Sequence, residues 1–523
     1  MSRPDYTQQW SLPAQASIAR VHNQLQAIPS LDKVNSYNIH IIFLDTPDCR
    51  LYRKGWSVQA SGHDKQWQLT LNELKSGKLL AVAPANSLPK FSSDFPSGIL
   101  RNKLSKPIYP RALITVCELR LKRREYVYLN DQGKQYLRLF LDQVQACQPE
   151  KQQTKKLPNY LVVEPLRGYV NEANKFISSL VKQLDLQEEE TSLLTRCLAI
   201  WNNEPNLKAS KLDTDLYHDE STQLGLRRIY LSLLEIMCAN EDGLTEQIDT
   251  EFLHDFRIAV RKTRSLLGQS KKVIAPDILQ EFSDEFAWLG ALTGPARDYD
   301  VMLLEFSDYQ ALLPDYNAAD FAALENYLRQ VRGNAYKALI EAIGSDRYAK
   351  FKKRWREFLE KDDLMYWEAA AQQTISEFGN QHISHVYNRV ITEGKNINPE
   401  SPVDAYHQLR KSCKKLRYLL EMLRNLYKPK KVKRAIKALK QLQDNLGELQ
   451  DLEVHIEILQ EFLLQKMPDK MGSQSSGNAI QQLIDWMSNR KLVVISDFHK
   501  AFCVFSNKKN KHLMTELLEV KKR

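Results

Sequence analysis

The sequence predicts an α+β chain, with a strand-rich first part followed by an all-α part built as a tandem of two related halves. Three observations point to it. Of the 20 prolines, 12 fall in the first 165 residues, among short runs that alternate polar and apolar side chains. Helical periodicity takes over after about residue 190. Two separate motifs in that later part then recur at one common displacement. At 523 residues the chain is also too long for a single hydrophobic core, so at least two domains are expected.

In the first part, NIHIIFLD (38–45), QWQLTLN (66–72), ITVCELRL (114–121) and YLRLFLDQV (136–144) have the near-alternation of half-buried strands. PANSLPKFSSDFPSG (84–98) has turn composition and predicts a loop. In the second part, periodicity predicts helices over 216–239, 250–268, 276–292, 295–312, 317–360, 364–393, 402–427, 430–466 and 478–507.

No apolar run approaches the roughly 18 residues a membrane-crossing helix requires. The opening MSRPDYTQQWSLPAQ lacks the features of a secretory signal, so a cytoplasmic protein is expected, with no membrane partner. The seven cysteines (49, 117, 147, 197, 238, 413 and 503) show no Cys-x-x-Cys pair and no nearby histidine at metal spacing, and are expected to be reduced. The net charge of +10 is uneven: residues 1–200 hold 27 Lys+Arg against 18 Asp+Glu, and the remainder 47 against 46. An anion site in the second part must therefore come from local clustering rather than a general positive field.

The repeat supplies that clustering. LHDFRIAVRKTRSLL (253–267) lies over YHQLRKSCKKLRYLL (406–420), so that His254, Arg257, Arg261 and Arg264 fall on His407, Arg410, Lys414 and Arg417, 153 residues later. LGALTGPARDYDV (289–301) lies over LQDNLGELQDLEV (442–454) at the same 153, pairing Gly294 with Gly447, Asp298 with Asp451 and Asp300 with Glu453. At about 100° per residue, steps of three, four and three hold each polar row within an arc of about 80°. Phe252, Phe256, Val260, Thr263 and Leu267 occupy a separate apolar stripe, as do Leu409, Cys413, Leu416 and Leu420. Each helix is thus expected to bury one side and present the other.

A basic face is often simply solvated. Here the rows carry no acidic i,i+4 partners in this reading, Leu253 and Ile258 flank the first row as a groove lining would, and the row occurs twice. Two such rows facing one another need an anion between them. A polyanionic chain fits, because arginine offers forked donors to phosphate oxygens, lysine a mobile charge, and histidine a donor that becomes cationic beside phosphate. KPKKVKRAIKALK (428–440) can extend the track through Lys430, Lys433, Lys437 and Lys440, whereas KFKKRWREF (350–358) reads as solvated surface. Asp298, Asp300, Asp451 and Glu453 are read as helix N-terminal charge after Pro295 or as orienting groups for the arginines, in preference to metal ligands.

The duplicated His-x-x-Arg-x-x-x-(Arg/Lys)-x-x-Arg rows, followed by GPARDYDV and GELQDLEV, resemble the CHAD domain, a histidine-containing α-helical domain that binds inorganic polyphosphate. The resemblance covers roughly residues 211–515 and implies two four-helix halves, about 211–362 and 363–515, related by a pseudo-twofold, with a basic pore or groove between them. It carries over to His254, Arg257, Arg261, Arg264, His407, Arg410, Lys414 and Arg417, while Gln450 stands where the first half has Arg297.

FLDTPDCRLYRKGWSVQA (43–60), QWQLTLN and LRLFLDQV resemble strands of the CYTH family, a β-barrel tunnel that hydrolyses triphosphates with a divalent metal. This resemblance covers roughly residues 1–170 and implies an antiparallel β-barrel within a first domain of 1–190. The family's first strand carries Glu-x-Glu-x-Lys, whereas YTQQWSLP (6–13) has no carboxylate. Gln59 and Ser61 stand where the family has paired arginines, Asn72 where it has a strand lysine and Arg138 where it has a metal-site glutamate, though Asp142 remains. The expectation is a degenerate barrel without its catalytic metal site, and hence no catalytic residue, metal or cofactor. Arg120, Lys122 and Arg124, alternating on one strand, read equally as an edge protected against aggregation or as a supplementary anion surface.

The resulting expectation is non-catalytic polyphosphate binding in the cytoplasm, associated with polyphosphate granules. The alternatives are a metal-dependent triphosphatase in the first domain, or weak nucleic-acid binding by the basic helices. The rows lack the interleaved aromatics that stack on bases, and neither a nucleophile constellation nor a GxxxxGK loop is present.

Overall fold

The computed structural model describes residues 8–519 apart from 14, 64, 65, 130, 131, 149–152, 167, 189, 190, 202–211, 213, 362, 363, 399 and 467–473. The chain forms two compact units, Met1–Leu207 and Lys208–Arg523. Of the boundaries expected from sequence, 190, 211, 362 and 363 lie outside the described residues.

The first unit is a 10-stranded antiparallel sheet. Its strands are β1 (Gln8–Ser11), β2 (Leu31–Asp45), β3 (Trp56–His63), β4 (Gln66–Glu73), β5 (Leu79–Ala85), β6 (Ile114–Leu129), β7 (Gln135–Gln148), β8 (Gln153–Lys156), β9 (Tyr160–Pro165) and β10 (Gln187–Glu188). The hydrogen-bonded order is β10-β1-β9-β7-β6-β2-β3-β4-β5, with β8 also on β7. Five helices accompany it: α1 (Ile18–Gln26), α2 (Arg50–Arg53), α3 (Ile99–Ile108), α4 (Val170–Leu184) and α5 (Leu193–Ile200).

Alternation along β2 sends its side chains into two different cores. Ile41 and Phe43 join Leu119, Leu121, Phe140 and Val162 beneath Leu194, Cys197 and Leu198 of α5. Ile42 and Leu44 join Val58, Leu69 and Leu71 beneath Leu51 of α2 and Leu100, Leu104 and Ile108 of α3. Cys117 of β6 is disulfide-bonded to Cys197 of α5. This corrects the expectation that the cysteines are reduced: the partners are 80 residues apart, so no local spacing announced them.

The second unit is helical: α6 (Thr222–Thr245), α7 (Thr250–Leu267), α8 (Pro276–Leu304), α9 (Phe306–Ala311), α10 (Ala318–Ile343), α11 (Asp346–Glu360), α12 (Ile375–Lys395), α13 (Val403–Met422), α14 (Pro429–Lys466), α15 (Gln474–Ser506) and α16 (Lys508–Leu518). The starts of α6, α7 and α8 precede those of α12, α13 and α14 by the same 153 residues that separate the sequence motifs. At the first pair, the Thr222 amide donates to the Gln373 carbonyl at 2.8 Å and the Ile375 amide to the Glu220 carbonyl at 2.9 Å. These two bonds interchange under that displacement, the mark of a local twofold. Ser221 and Thr374, which cap the two helices, sit in the bridge itself.

Three expected boundaries are corrected. Pro295 lies inside α8 rather than starting a helix. Its ring is on the exposed side, while Phe286, Leu289, Thr293, Ala296 and Asp300 are buried on both sides of it, so packing carries the helix past the missing N–H. The expected 317–360 helix is two, broken at Gly344 and Ser345; the Ser345 hydroxyl accepts the Tyr348 amide and caps α11. The expected 364–393 helix begins only at Ile375, after a Thr374–Glu377 capping box. No helix among the described residues is long and apolar enough to cross a membrane.

Candidate anion-binding site

The Asp249 side chain caps α7, accepting from the amides of Glu251 at 2.9 Å and Phe252 at 3.3 Å. Phe252, Phe256, Val260, Thr263 and Leu267 are buried, as are Leu409, Cys413, Leu416 and Leu420 of α13. The apolar stripes thus fix how both helices roll, and α7 and α13 pack against each other. Lys262 of α7 reaches Glu421 of α13 at 2.9 Å, which fastens the two.

A cavity of about 410 Å³ opens between α7, α8, α13 and α14. Its lining is close to twofold: Arg257 answers Arg410, Arg297 answers Gln450, Asp298 answers Asp451 and Val301 answers Val454, with His254, Ile258, Arg261 and His455 completing it. Four arginines therefore converge with two aspartates. Arg257 is held by the Gly290 carbonyl at 3.3 Å and the Thr293 hydroxyl at 3.2 Å. Arg410 donates to the Gln450 side-chain oxygen at 3.2 Å and lies 3.7 Å from Asp451. Nη1 of Arg297 and Nε of Arg410 are buried without a hydrogen-bond partner, which costs free energy unless a ligand or water accepts from them.

Electrostatics agrees with a surplus of positive charge. Burial, then Arg261, depresses the basicity of Arg257 and Arg264, and burial does the same for Arg410. Lys414 is pushed down to about 7 by burial, with Arg261 and Arg410 adding to it. Burial raises the carboxyls of Asp298 and Asp451 against the pull of Arg257 and Arg410. His455 is pushed down to about 4 by burial, so it is neutral at pH 7, with its Nδ1 2.8 Å from the Tyr309 hydroxyl.

The structure thus brings His254, Arg257, Arg261 and Arg410 to one cavity, with Lys414 in their field. Arg264 is exposed. His407 turns to Glu453 at 2.6 Å, and the exposed Arg417 pairs with Glu421 at 2.7 Å. That last pair corrects the reading that the rows lack i,i+4 carboxylates. Lys430, Lys433 and Lys437 are exposed on α14 and do not line the cavity. Leu253 is core rather than lining, while Ile258 does line it. The acidic motif departs from the helix-N-terminus reading: Asp300 is fully buried, 2.6 Å from Arg332 and 2.7 Å from the Tyr336 hydroxyl, and Glu453 holds His407 and Lys491. Arg297 was missed as a site residue. Its signal lay in GPARDYDV, four residues before Val301 on the same helical face. Lys352, Arg354 and Arg356 in KFKKRWREF pair with Glu241, Glu281 and Glu360, and of the three cations only Arg354 is exposed.

In the sheet unit, Asp142 is only 3% exposed and takes a two-pronged bond from Arg123, at 2.8 and 2.6 Å. Arg138 lies 3.9 Å from Glu125. Among the described residues no group of three His, Cys, Asp or Glu side chains is arranged to hold a metal. Asp142 is already taken up by Arg123 and Arg138 is itself a cation, so these residues do not fit a divalent ion. Tyr6 and Thr7 of the first-strand motif lie outside the described residues.

Comparison with protein families matches the CHAD domain over residues 228–460. Among solved structures, the chain is similar to the CHAD domain from the plant Ricinus communis, at 23% identity over 56% of this chain and 95% of that one, with a TM-score of 0.47. It is similar to PptA from Streptomyces chartreusis at 13% identity over 54% and 98%, TM-score 0.44. It is also similar to HpAC1 from Hippeastrum, for which a dominant triphosphatase activity is described, at 14% identity over 37% and 94%, TM-score 0.27. No match is found among curated proteins.

Proposed function

We propose that the helical unit, whose residues 228–460 match the CHAD domain, binds inorganic polyphosphate, without catalysis, in the cavity between α7 and α13. The observation that carries this reading is the opposed pair Arg257 and Arg410, joined by buried guanidinium nitrogens of Arg297 and Arg410 that have no partner. Cations brought this close in a partly buried site repel one another until an anion lies between them. A phosphate chain supplies oxygens at repeating intervals for several forked donors at once. In this reading Arg257, Arg261, Arg297 and Arg410 grip phosphate oxygens, Lys414 adds charge, and Asp298 and Asp451 orient the guanidinium groups. The exposed Arg264, Arg417, Lys430, Lys433 and Lys437 extend the track outside the cavity, and the two halves divide near residues 362 and 363. The site needs neither metal nor cofactor. In a cell, such binding carries the protein to polyphosphate granules.

The test is a titration with polyphosphate of defined lengths. Affinity should rise with chain length and fall steeply with salt. Changing Arg257, Arg261 and Arg410 together to Glu should weaken binding by about 100-fold or more, since each charge-assisted bond contributes roughly 1.5–3 kcal/mol. Unaltered affinity in that variant overturns the reading. No Phe, Tyr or Trp lines the cavity, which favours polyphosphate over RNA in a competition assay.

A further inference from the structure

A second basic concavity, shallow and open to solvent, lies in the sheet unit, with a volume of about 750 Å³ lined by Arg50, Arg53, Lys54, Lys103, Lys106 and their neighbours Asn102 and Pro107. No carboxylate lines it. It is formed by α2 and α3, whose Leu51, Leu100, Leu104 and Ile108 cover Ile42 and Leu44 of β2. Arg123, over the Phe140 ring, and its partner Asp142 lie on the opposite face, where Phe140 clusters with Ile41 and Phe43. The concavity is therefore distinct from the face on which a triphosphate tunnel would have been built.

Its charges are fixed in place more than they are neutralised. The Asp48 carboxylate takes Arg50 at 3.0 Å and Arg53 at 3.1 Å, and Arg111 stands 3.9 Å from its other oxygen. Three guanidinium groups thus share one carboxylate; against the opposing effect of burial, the Thr46 hydroxyl, Arg50 and Arg111 hold it below the usual range. Arg50 is further fixed by donating to the Tyr109 carbonyl at 2.8 Å. The nearby Asp45 carboxylate is spent on the amides of Thr46, Leu51 and Tyr52. Lys103 and Lys106, one turn apart on α3, are exposed above a side that is anchored in the core. Lys54 lies 3.8 Å over the Trp56 ring, which helps to hold its ammonium in place.

We propose that this concavity is a second phosphate-binding site, taking an inorganic oligophosphate. Guanidinium forks held rigid beside mobile ammonium groups match an anion with several phosphoryl oxygens. Every lining residue but Asn102 and Pro107 is a cation, so phosphoryl groups are what the site recognises. The site lies in the other unit and does not rest on the reading of the helical cavity.

Calorimetric titration of the full chain with tripolyphosphate at low salt tests it, using four proteins. These are the native chain; Lys103→Glu with Lys106→Glu; Arg257→Glu, Arg261→Glu and Arg410→Glu; and all five changes together. Both lysines are exposed, and circular dichroism confirms folding. The triple variant should retain tripolyphosphate binding, and adding the two lysine changes should weaken that residual binding at least tenfold. The proposal is overturned if the triple variant retains no binding, or if its residual binding is the same with and without the lysine changes. Failure of the helical reading looks different: the triple variant then binds like the native chain while the lysine variant alone loses affinity.

Discussion

Lys414 stands beside the cavity with a charge that is only half secured. Its value near 7, against an ordinary 10.5, means that between those two pH values the unfolded chain carries a proton that the folded one has released. Stability contributed by this side chain therefore rises with pH across that window and is lowest below it. Polyanion binding has the opposite sign. A phosphate chain beside Arg261, Arg410, Arg257 and Asp451, the charged groups that face Lys414, restores the proton, so binding takes up a proton near neutrality. Affinity is expected to fall as pH rises from about 7 towards 9, by at most about tenfold per unit for one proton. Lys414→Arg should keep the charge and flatten that slope. Titrations in buffers of different ionisation enthalpy measure the proton directly, and an equal slope in both proteins would refute it.

At some crossings in the second unit the helices approach so closely that a side chain has to be missing. A methyl group added at Gly394 of α12 would sit 2.1 Å from the Phe502 ring of α15, and that ring is itself buried at 4% exposure. Gly394→Ala should destabilise the unit by about 1–3 kcal/mol, because overpacking outweighs the helix preference for alanine. Gly333 of α10 meets nothing within 4 Å, so Gly333→Ala should stabilise by up to about 1 kcal/mol. Scanning calorimetry of both variants reads the opposite signs. The same logic of packing over local preference explains α8. Pro295 and Gly294 in GALTGPARDYD read as a break, yet the helix continues because its buried residues on either side have one common core to fill.

At the scale of the whole molecule, the only disulfide among the described residues lies entirely inside the sheet unit, between Cys117 and Cys197. A cross-link over 80 residues removes unfolded-state entropy worth about 4.5 kcal/mol in the chain-entropy model. Reduction, or Cys197→Ser, should lower the unfolding midpoint of the sheet unit and free α5 from β6. Polyphosphate affinity of the helical unit should not change. Parallel thermal scans and titrations with and without reductant check both halves of the statement.

Much of the fold and part of the site were legible in the sequence, because periodicity and repetition are local properties. The alternation of NIHIIFLD and YLRLFLDQV became β2 and β7, and the 153-residue displacement reappeared in the starts of three pairs of helices. The apolar stripes of α7 and α13 follow from the period of the helix alone. What only tertiary structure decided was which cations share a space. Within one row of identical spacing, Arg257 and Arg261 face the cavity while Arg264 is exposed, and His407 is drawn to Glu453 instead of its counterpart's cavity. A row fixes a direction on its own helix, but not what the neighbouring helix places opposite it. Arg297, Asp298 and Gln450 come from α8 and α14, and Cys197 comes from beyond the strands it is tied to. Such meetings depend on how rigid elements cross, and the free energy that sets the crossing is spread over a core that no single stretch of sequence contains.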